Sequence, residues 1–275
     1  MTLLALGVTG RGLVDPDEPA VFADDEAFLR GRAAFETVRV YRGRPFRLDA
    51  HLERLAESAR RLGLPGVDLR GLRALVEAAL GVARTADAVL RFYWPPGREG
   101  EDRASGLVLV RDLPADLEEL RARGLRLISV PLGFDGSGLL GGVKSTSYAL
   151  NMVAVDEAKR RGADDAVFVG AERVVLECPT ANIWWRRGRT LLTPGLALGI
   201  LAGVTRGVVL ELAPELGYDV REGSFELGEV SAADEAFTTS SVREVMPVAA
   251  LDGSAVRLGS AAEELQRSIR RLASA

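Results

Sequence analysis

The chain has 275 residues, which is long for one hydrophobic core and comfortable for two, because domains usually contain about 100–200 residues. Hydrophobic residues make up 47% and charged residues 27%, an ordinary globular composition that favours neither a disordered chain nor a membrane protein. The net charge of -4 provides no field that attracts polyanions, so we expect small-molecule substrates rather than nucleic acid.

The scarce residue types narrow the possible chemistry. The chain contains one histidine, His51, and one cysteine, Cys178, which exclude His/Cys zinc clusters and an internal disulfide, and we predict no metal site. We interpret His51 as a packing side chain and Cys178 as a small buried hydrophobe. The apolar N-terminus is only about eight residues long, so we expect no signal peptide, no membrane contact and a cytoplasmic location.

The N-terminal part of the chain predicts a hairpin followed by two helices and two strands. The strand-like runs FETVRVY and RPFRL flank a turn at Arg42-Gly43 and predict the hairpin. The apolar residues of DAHLERLAESARRLGL recur with a period of 3.6 and predict a helix. The remaining predicted elements here are a helix over 69–83, a strand over 88–94, the charged loop GREGEDRAS and a strand over 107–112.

A short helix between residues 113 and 124 marks the predicted domain boundary, because it separates two groups of strands. We predict domains at 1–113 and 114–275, with a linker at about 113–124. The elements predicted for the second domain are the strand LRLISVPL, the loop FDGSGLLGGVK, the helix SYALNMVAVDEAKRRGA, the strands AVFVG, RVVLEC, IWWRR and RTLLTPG, the loop LALGILAGVTR, the helix VTRGVVLELAPELG, two late strands and a C-terminal helix.

Lys144 has an unusual setting in a chain that otherwise uses arginine. Lys144 and Lys159 are the only lysines among 35 basic residues, and no acidic residue lies within six positions of Lys144. The surrounding GSGLLGGVKST resembles a phosphate-binding loop, but Val143 occupies the position where that motif needs glycine. A nucleotide-binding protein therefore stays a minor alternative. A lysine between apolar sequence and a helix start indicates a desolvated, reactive amine.

Four segments together carry a family resemblance: KSTSYALNMVAVDEA, VLECPTANIWW, LLTPGLALGILAGVTR and FTTSSVREVMPV. With the hairpin and helix region, the matches span about residues 31 to 250, and they resemble the class IV (fold type IV) pyridoxal phosphate (PLP) enzymes. That family includes branched-chain and D-amino-acid aminotransferases and aminodeoxychorismate lyase. The resemblance implies a two-domain α/β fold, with a small N-terminal and a larger C-terminal α/β domain, the cofactor between them and a homodimer.

The resemblance also implies roles for individual residues. Lys144 corresponds to the lysine that forms the Schiff base with PLP and moves the substrate proton, for which an arginine is unsuited. Glu177 corresponds to the glutamate that keeps the pyridine nitrogen protonated. Tyr148 corresponds to a tyrosine that contacts the phenolic oxygen, although the spacing from the lysine differs by one residue.

Three places are expected to bind the cofactor phosphate. Arg54 corresponds to the phosphate arginine of the family, and Ser241 to a hydroxyl donor. Val204 and Thr205 follow Gly203 at a predicted helix start, where unpaired N–H groups and the helix dipole favour a dianion.

The family divides between transamination and elimination, and the residues shared by both reactions do not decide between them. KSTSYALNM followed by the RGADD turn is more similar to aminodeoxychorismate lyases, so we expect a lyase that forms the folate precursor 4-aminobenzoate. An aminotransferase of D-amino acids or branched-chain amino acids is the alternative, and a catalytically inactive relative is a further one. The strand VLRFYWPPG has Pro96-Gly97 where several relatives have Arg-Gly. Arg91 and Arg98 remain as candidates for binding a substrate that carries amino and carboxylate groups.

Overall fold

The computed structural model describes residues 1–100, 104–132 and 138–274. Within these residues the chain divides into two compact units. The first consists of Met1–Pro114, Val143–Tyr148 and Ser274, and the second of Ala115–Gly142 and Ala149–Ala273. Residues 101–103 of the predicted loop GREGEDRAS and 134–137 of the predicted loop FDGSGLLGGVK lie outside the described residues, as does the preceding residue 133.

An antiparallel sheet of six described strands forms the centre of the first unit. Its strands are β1 (Leu3–Val8), β2 (Gly12–Val14), β3 (Ala34–Tyr41), β4 (Arg44–Pro45), β5 (Ala88–Trp94) and β6 (Leu107–Arg111). Their order across the sheet is β2-β1-β6-β5-β3-β4. The predicted hairpin is confirmed as β3 and β4, and its turn residues Arg42 and Gly43 have positive φ angles of 48° and 77°. Such angles occur in the tight turns whose twist matches that of the strands.

Helices cover one face of this sheet. The helices of the first unit are α1 (Glu26–Arg30), α2 (Leu48–Arg61) and α3 (Leu69–Ala83). The apolar residues of α2 and α3 pack with the even-numbered residues of β3 and β5, and this core includes Ala34, Val38, Leu52, Leu55, Leu72, Leu75, Leu90 and Phe92. Because side chains alternate along a strand, the odd-numbered residues of β3 and β5 lie on the opposite face.

The segment Val143–Tyr148 belongs to the first unit, whereas the predicted second domain, which begins at residue 114, includes it. The physical reason is backbone pairing. Ser145 forms an isolated antiparallel bridge with Ala34, so the segment lies beside the first residue of β3. Lys144 therefore lies with the residues of the first unit.

A mixed sheet forms the centre of the second unit. Its described strands are β7 (Leu125–Pro131), β8 (Asp165–Val169), β9 (Asn182–Arg187), β10 (Thr190–Pro194), β11 (Asp219–Gly223), β12 (Glu235–Ser240), β13 (Glu244–Leu251) and β14 (Ser254–Ala255). The order is β11-β10-β9-β12-β13-β7-β8, and β14 pairs with β13. The β10–β11, β13–β7 and β7–β8 pairs are parallel, and the other pairs are antiparallel.

The helices that accompany this sheet are α4 (Leu117–Arg123), α5 (Ala149–Arg160), α6 (Val204–Glu215), α7 (Leu227–Ser231) and α8 (Ser260–Ser274). The predicted strand RVVLEC is wrong, because its residues form single bridges, Val169 to Val175 and Cys178 to Ala181 among them, instead of a ladder. The positive φ of Arg173 at the start of the run, together with Pro179 after it, interrupts extended pairing. Among the described residues, no helix combines the length and the apolar character that crossing a membrane requires.

Candidate active site

The residues predicted to act in catalysis or binding are found in both units. Those in the first unit are Arg54, Arg91, Arg98, Lys144 and Tyr148. Those in the second unit are Glu177, Val204, Thr205 and Ser241. Each unit therefore carries its own set of polar groups.

The backbone around Lys144 is fixed on both sides. The carbonyl of Lys144 accepts a hydrogen bond from the N–H of Phe35 in β3 at 3.1 Å, and the N–H of Thr146 donates to the carbonyl of Ala33 at 2.9 Å. The N–H of Lys144 itself donates to the hydroxyl of Ser58 in α2 at 3.2 Å. Strand β3 and helix α2 together therefore determine where the lysine side chain begins.

Aromatic rings hold the side chain of Lys144. Its Nζ lies 4.3 Å from the ring centroid of Phe35 and 5.7 Å from that of Tyr148, both within the range of cation–π attraction. Tyr148 meets the Phe35 ring edge-on at 5.2 Å, and Tyr93 stacks on Phe35 at 5.9 Å. Because Phe35 is odd-numbered in β3, this aromatic cluster lies on the face of the sheet opposite the core. Lys144 and Tyr148, both predicted site residues, are thus close together.

A buried polar network, which we call the Glu36 network, contains Glu36, His51 and Arg54. The guanidinium of Arg54 donates through Nε to Oε1 of Glu36 at 2.6 Å and through Nη2 to Oε2 at 2.8 Å. His51 Nδ1 lies 2.8 Å from Oε2 of the same carboxylate. The side chains of Glu36, His51 and Arg54 are 0%, 2% and 13% exposed. The network is therefore almost completely shielded from water.

Electrostatics fix the protonation states in this network. Burial alone would raise the pKa of Glu36, but the charge and hydrogen bonds of Arg54, together with the hydrogen bond of His51, lower it to about 2. Burial lowers the pKa of His51, so its ring is neutral near neutral pH. A carboxylate only accepts hydrogen bonds. Nδ1 of the neutral imidazole therefore carries the proton and donates the hydrogen bond to Glu36.

The sequence pattern did not single out Glu36, and it indicated only a packing role for His51. A usable signal exists in the apolar run AFETVRVY. Glu36 lies two residues after Ala34 and two before Val38, so it shares their face of the strand and occupies a core position. A carboxylate at such a position needs a cation or several donors nearby.

Arg91 and Arg98 have different environments. Arg98 donates to both carboxylate oxygens of Asp24, at distances of 2.8–3.0 Å, and its side chain is 46% exposed. This contact lowers the pKa of Asp24. Arg91 is odd-numbered in β5, on the same face as Tyr93, and its Nε is buried with no hydrogen-bond partner among the described residues. Arg91 is thus the better placed of the two for a ligand.

In the second unit, Glu177 is oriented by two donors. The side-chain amide of Asn182 donates to Oε2 at 3.1 Å, and the N–H of Leu201 donates to Oε1 at 3.1 Å. Asn182 also donates to the carbonyl of Leu201 at 2.9 Å and is 3% exposed. Asn182 was not among the predicted residues, and nothing in ECPTAN distinguishes it beforehand.

The N-terminus of α6 offers backbone donors. Gly203 is its N-cap residue, and no described side chain caps the helix, so the N–H groups of the first turn, which begins Val204-Thr205, have no side-chain acceptor. A glycine is required here, because a Cβ at position 203 would lie 2.1 Å from the amide oxygen of Asn182. Ser241 lies in the turn between β12 and β13, and Thr239 of β12 pairs with Asn182. Asn182, which contacts Glu177 and the loop before α6, therefore lies beside Thr239, two residues before Ser241 in the chain.

Lys144 and Ser145 do not have the geometry of a nucleotide-binding loop. In such a loop, the lysine and serine open the following helix so that its N–H groups surround a phosphate. Here α5 begins only at Ala149, and Ser145 pairs with β3. Cys178 is 2% exposed, and burial raises the pKa of its thiol, so it is a protonated packing residue.

Comparison with known proteins identifies the family. The sequence profile of amino-transferase class IV matches residues 33–251, most of the chain. The chain belongs to the class IV aminotransferase family. It is therefore a PLP-dependent enzyme, an aminotransferase or a lyase, with the fold type IV architecture.

Curated relatives and solved structures of this family cover nearly the whole chain. A bifunctional aminodeoxychorismate lyase / D-amino acid transaminase of Mycobacterium tuberculosis is 34% identical, over 88% of this chain and 89% of the relative. An aminodeoxychorismate lyase of Bacillus subtilis is 32% identical, over 87% of this chain and 84% of the relative. The fold IV transaminase CpuTA1 of Curtobacterium pusillum superposes with a TM-score of 0.92, 32% identity and 98% coverage of both chains. The PLP-bound form of a hypothetical aminotransferase from Mycobacterium tuberculosis superposes with a TM-score of 0.92, 32% identity and 97% coverage of both chains.

The residues present fit PLP. The first unit supplies a lysine amine held on aromatic rings and an arginine whose guanidinium is already oriented. The second unit supplies a glutamate whose two oxygens are oriented by Asn182 and Leu201, and a helix N-terminus with a glycine N-cap. These groups match an aldehyde, a dianionic phosphate and a protonated pyridine nitrogen.

Replacing Gly203 should disturb the second unit. In Gly203→Ala the added Cβ must displace Asn182, which holds Glu177, so we expect a loss of about 1–3 kcal/mol in the free energy of unfolding and weaker PLP binding. Gly207→Ala is the matched control, because a Cβ there meets nothing within 4 Å in the same helix. It should be neutral or more stable by up to about 1 kcal/mol. Denaturant unfolding measures the stability of both variants, and titration measures their PLP affinity. Equal stability and affinity of the two variants would contradict the need for glycine at position 203.

Proposed function

We propose that the protein is an aminodeoxychorismate lyase, which converts 4-amino-4-deoxychorismate into pyruvate and the folate precursor 4-aminobenzoate. The observation that carries the proposal is that both curated relatives described above, at 34% and 32% identity, have this activity in their names. The segment KSTSYALNM, which contains Lys144, supports the same choice.

We assign the roles of the first unit as follows. Lys144 binds PLP covalently through its amine, and Arg54 binds the phosphate with a charge-assisted contact. Tyr148 contacts the phenolic oxygen, which is consistent with its place beside the amine of Lys144. Arg91 binds a carboxylate of the substrate, whereas the contact of Arg98 with Asp24 favours a role for Arg98 outside the site.

The assigned residues of the second unit bind the opposite ends of the cofactor. Glu177 keeps the pyridine nitrogen protonated, because an ionised carboxylate favours a cation beside it. The N–H groups of Val204 and Thr205 and the hydroxyl of Ser241 donate to the phosphate. The hydrogen bonds of Asn182 and Leu201 with Glu177 support this orientation.

The reaction needs a proton acceptor at the substrate carbon that bears nitrogen, and we propose that Lys144 would be this base once the substrate amine has replaced the lysine amine on PLP. PLP supplies the electron sink for the charge that proton removal leaves. Loss of the enolpyruvyl side chain, which takes up one proton to become pyruvate, would then make the substrate ring aromatic, a driving force that transamination lacks. Such a reaction requires a well-placed lysine and a pocket for an acidic substrate, which suits a chain with a single, buried histidine.

D-amino acid transamination is the second candidate. The name of the relative from Mycobacterium tuberculosis combines both activities, which favours an enzyme that performs both. An aminotransferase binds two amino acids alternately by their carboxylates, so it also needs a cation such as Arg91.

The assignment of Lys144 predicts a covalent link at one of only two lysines. Purified protein should be yellow, and borohydride treatment should attach PLP to the peptide that contains Lys144. Lys144→Arg should retain bound PLP without the link and lose nearly all turnover, because a guanidinium does not release a proton near neutral pH. Lys159→Arg is the matched control and should behave as the wild type. Label recovered on Lys159 would refute the assignment.

The choice of reaction is tested by coupled assays. A lyase should release pyruvate and 4-aminobenzoate in equal amounts from aminodeoxychorismate, and Lys144→Arg should abolish both products. Exchange of D-alanine with 2-oxoglutarate at a kcat of order 1–1000 s⁻¹ without lyase turnover would overturn the proposal in favour of the aminotransferase. Measurable rates in both assays would favour the bifunctional enzyme.

The same assays separate the two arginines. Arg91→Gln should raise KM for aminodeoxychorismate about ten- to a hundredfold, the effect of losing one charge-assisted contact, while Arg98→Gln should leave it unchanged. The reverse pattern would assign the carboxylate to Arg98.

We also propose that the enzyme is a homodimer. Each unit exposes large apolar side chains that self-association would cover, and these include Phe22, Phe28 and Leu29 in the first unit and Leu139, Leu150 and Val153 in the second. Sedimentation should give twice the chain mass of 29.4 kDa, and a monomer at micromolar concentration would contradict the proposal. The cytoplasmic location remains a prediction from the sequence.

A further inference from the structure

Helix α2 places three polar side chains on one face. His51, Arg54 and Ser58 are separated by three and four residues, a spacing that puts them on the same side of a helix. His51 and Arg54 contact the carboxylate of Glu36 in β3, and Ser58 accepts the hydrogen bond from the N–H of Lys144. One helix face therefore contacts both the buried carboxylate and the backbone of the lysine.

Stability alone does not explain the buried pair of Glu36 and Arg54. Replacing a buried ion pair with apolar side chains of similar volume is often neutral or stabilising, because the ions lose their hydration. Ala34 and Val38, the neighbours of Glu36 on the core face of β3, are apolar, so the core would accept an apolar residue there. What the carboxylate supplies is orientation, because two parallel hydrogen bonds of 2.6 and 2.8 Å fix the plane of the guanidinium.

We infer that Glu36 is a positioning residue for cofactor binding: it fixes the guanidinium of Arg54 for the phosphate, and His51 in turn fixes Glu36. The inference rests on the proposed binding of the PLP phosphate by Arg54. A long arginine side chain loses rotamer freedom when it binds a ligand, and Glu36 removes that freedom before PLP arrives. PLP is a rigid molecule, so anchoring Arg54 and the backbone of Lys144 to the same helix also fixes the spacing of its two attachment points.

Glu36 has two opposing effects on phosphate binding, positioning of Arg54 and charge repulsion, and this opposition makes the inference testable. The negative charge of Glu36 disfavours a nearby phosphate dianion, so removing it would tighten PLP binding if charge were the larger effect. Positioning predicts weaker binding instead. The sign of the change in affinity therefore distinguishes the two.

The experiment compares PLP with pyridoxal, which lacks the phosphate. Apoenzyme of the wild type, Glu36→Gln and Glu57→Gln is titrated with both compounds, and binding is followed by visible absorbance. Glu57→Gln is the matched control, because Glu57 lies on the same helix and binds Arg60 through two hydrogen bonds, but at the exposed surface. We expect Glu36→Gln to raise the Kd of PLP about tenfold and leave that of pyridoxal unchanged, and Glu57→Gln to change neither.

Two results would overturn the inference. One is a PLP affinity of Glu36→Gln that is unchanged or tighter, and the other is an equal loss for PLP and pyridoxal, which indicates a structural role only. The double variant gives an independent check, because Glu36→Gln should cause no further loss of PLP affinity in an Arg54→Ala background. An additive loss would also overturn the inference.

Failure of the proposed function has a different signature. If Arg54→Ala binds PLP as the wild type does, Arg54 does not hold the phosphate, and the inference fails together with that assignment. If Arg54→Ala weakens PLP binding about tenfold or more while Glu36→Gln does not, only the inference fails.

Variants of His51 keep the inference falsifiable if Glu36→Gln does not fold. His51→Ala removes the hydrogen-bond donor to Glu36. In His51→Asn, the side-chain amide can occupy the position of Nδ1 and donate the same hydrogen bond. We expect His51→Ala to raise the Kd of PLP about threefold relative to His51→Asn, with no such difference for pyridoxal. Equal PLP affinities of the two variants would overturn the inference.

Discussion

A carboxylate shielded from water is unfavourable by several kcal/mol unless cations and donors replace its lost hydration. Glu36 is in that position, and its compensation comes from His51 and Arg54 of α2. Helix α2 must therefore lie against β3 in one register, because a shift of one residue would remove both donors from the carboxylate. The same register brings the hydroxyl of Ser58 to the N–H of Lys144. The layout of the first unit around Lys144 thus depends on one buried charge.

The second unit uses an amide for a similar purpose. Asn182 donates to Glu177 and to the carbonyl of Leu201, so it ties the strand-end carboxylate to the loop that leads into α6. Its amide oxygen leaves no room for a Cβ at Gly203, and a glycine N-cap leaves the first N–H groups of α6 without a side-chain acceptor. In each unit, a side chain that the sequence did not single out orients a side chain that it did: Glu36 orients Arg54, and Asn182 orients Glu177.

Local patterns predicted much of this fold. The helix over 69–83 and the strand over 88–94 have the predicted bounds, because their apolar periodicity and flanking residues are unambiguous. The strand predicted at RVVLEC failed, since its propensity is high but its residues form only single bridges with neighbouring segments. The place of Val143–Tyr148 beside β3 depends on pairing across more than a hundred residues, which no local pattern reports. The resemblance supplied the candidates Lys144, Glu177 and Arg54, but the partners Glu36 and Asn182 become visible only through the contacts that they make.

In the roles proposed for them, Lys144 and Glu177 would serve elimination and transamination equally, because both reactions begin with loss of a proton from the same kind of carbon. The choice between them must therefore depend on groups that bind the rest of the substrate. In the first unit, Arg98 is held by Asp24, whereas Arg91 lies on the same face of β5 as Tyr93, about 6–7 Å further along the strand. Tyr93 stacks on Phe35, the ring that holds the amine of Lys144. A substrate that reacts at this amine and carries a carboxylate a short distance away would meet aromatic rings first and a guanidinium next. That order would suit a cyclic acid at least as well as a small amino acid, so we expect the groups around Arg91, rather than the residues assigned to PLP, to decide the reaction.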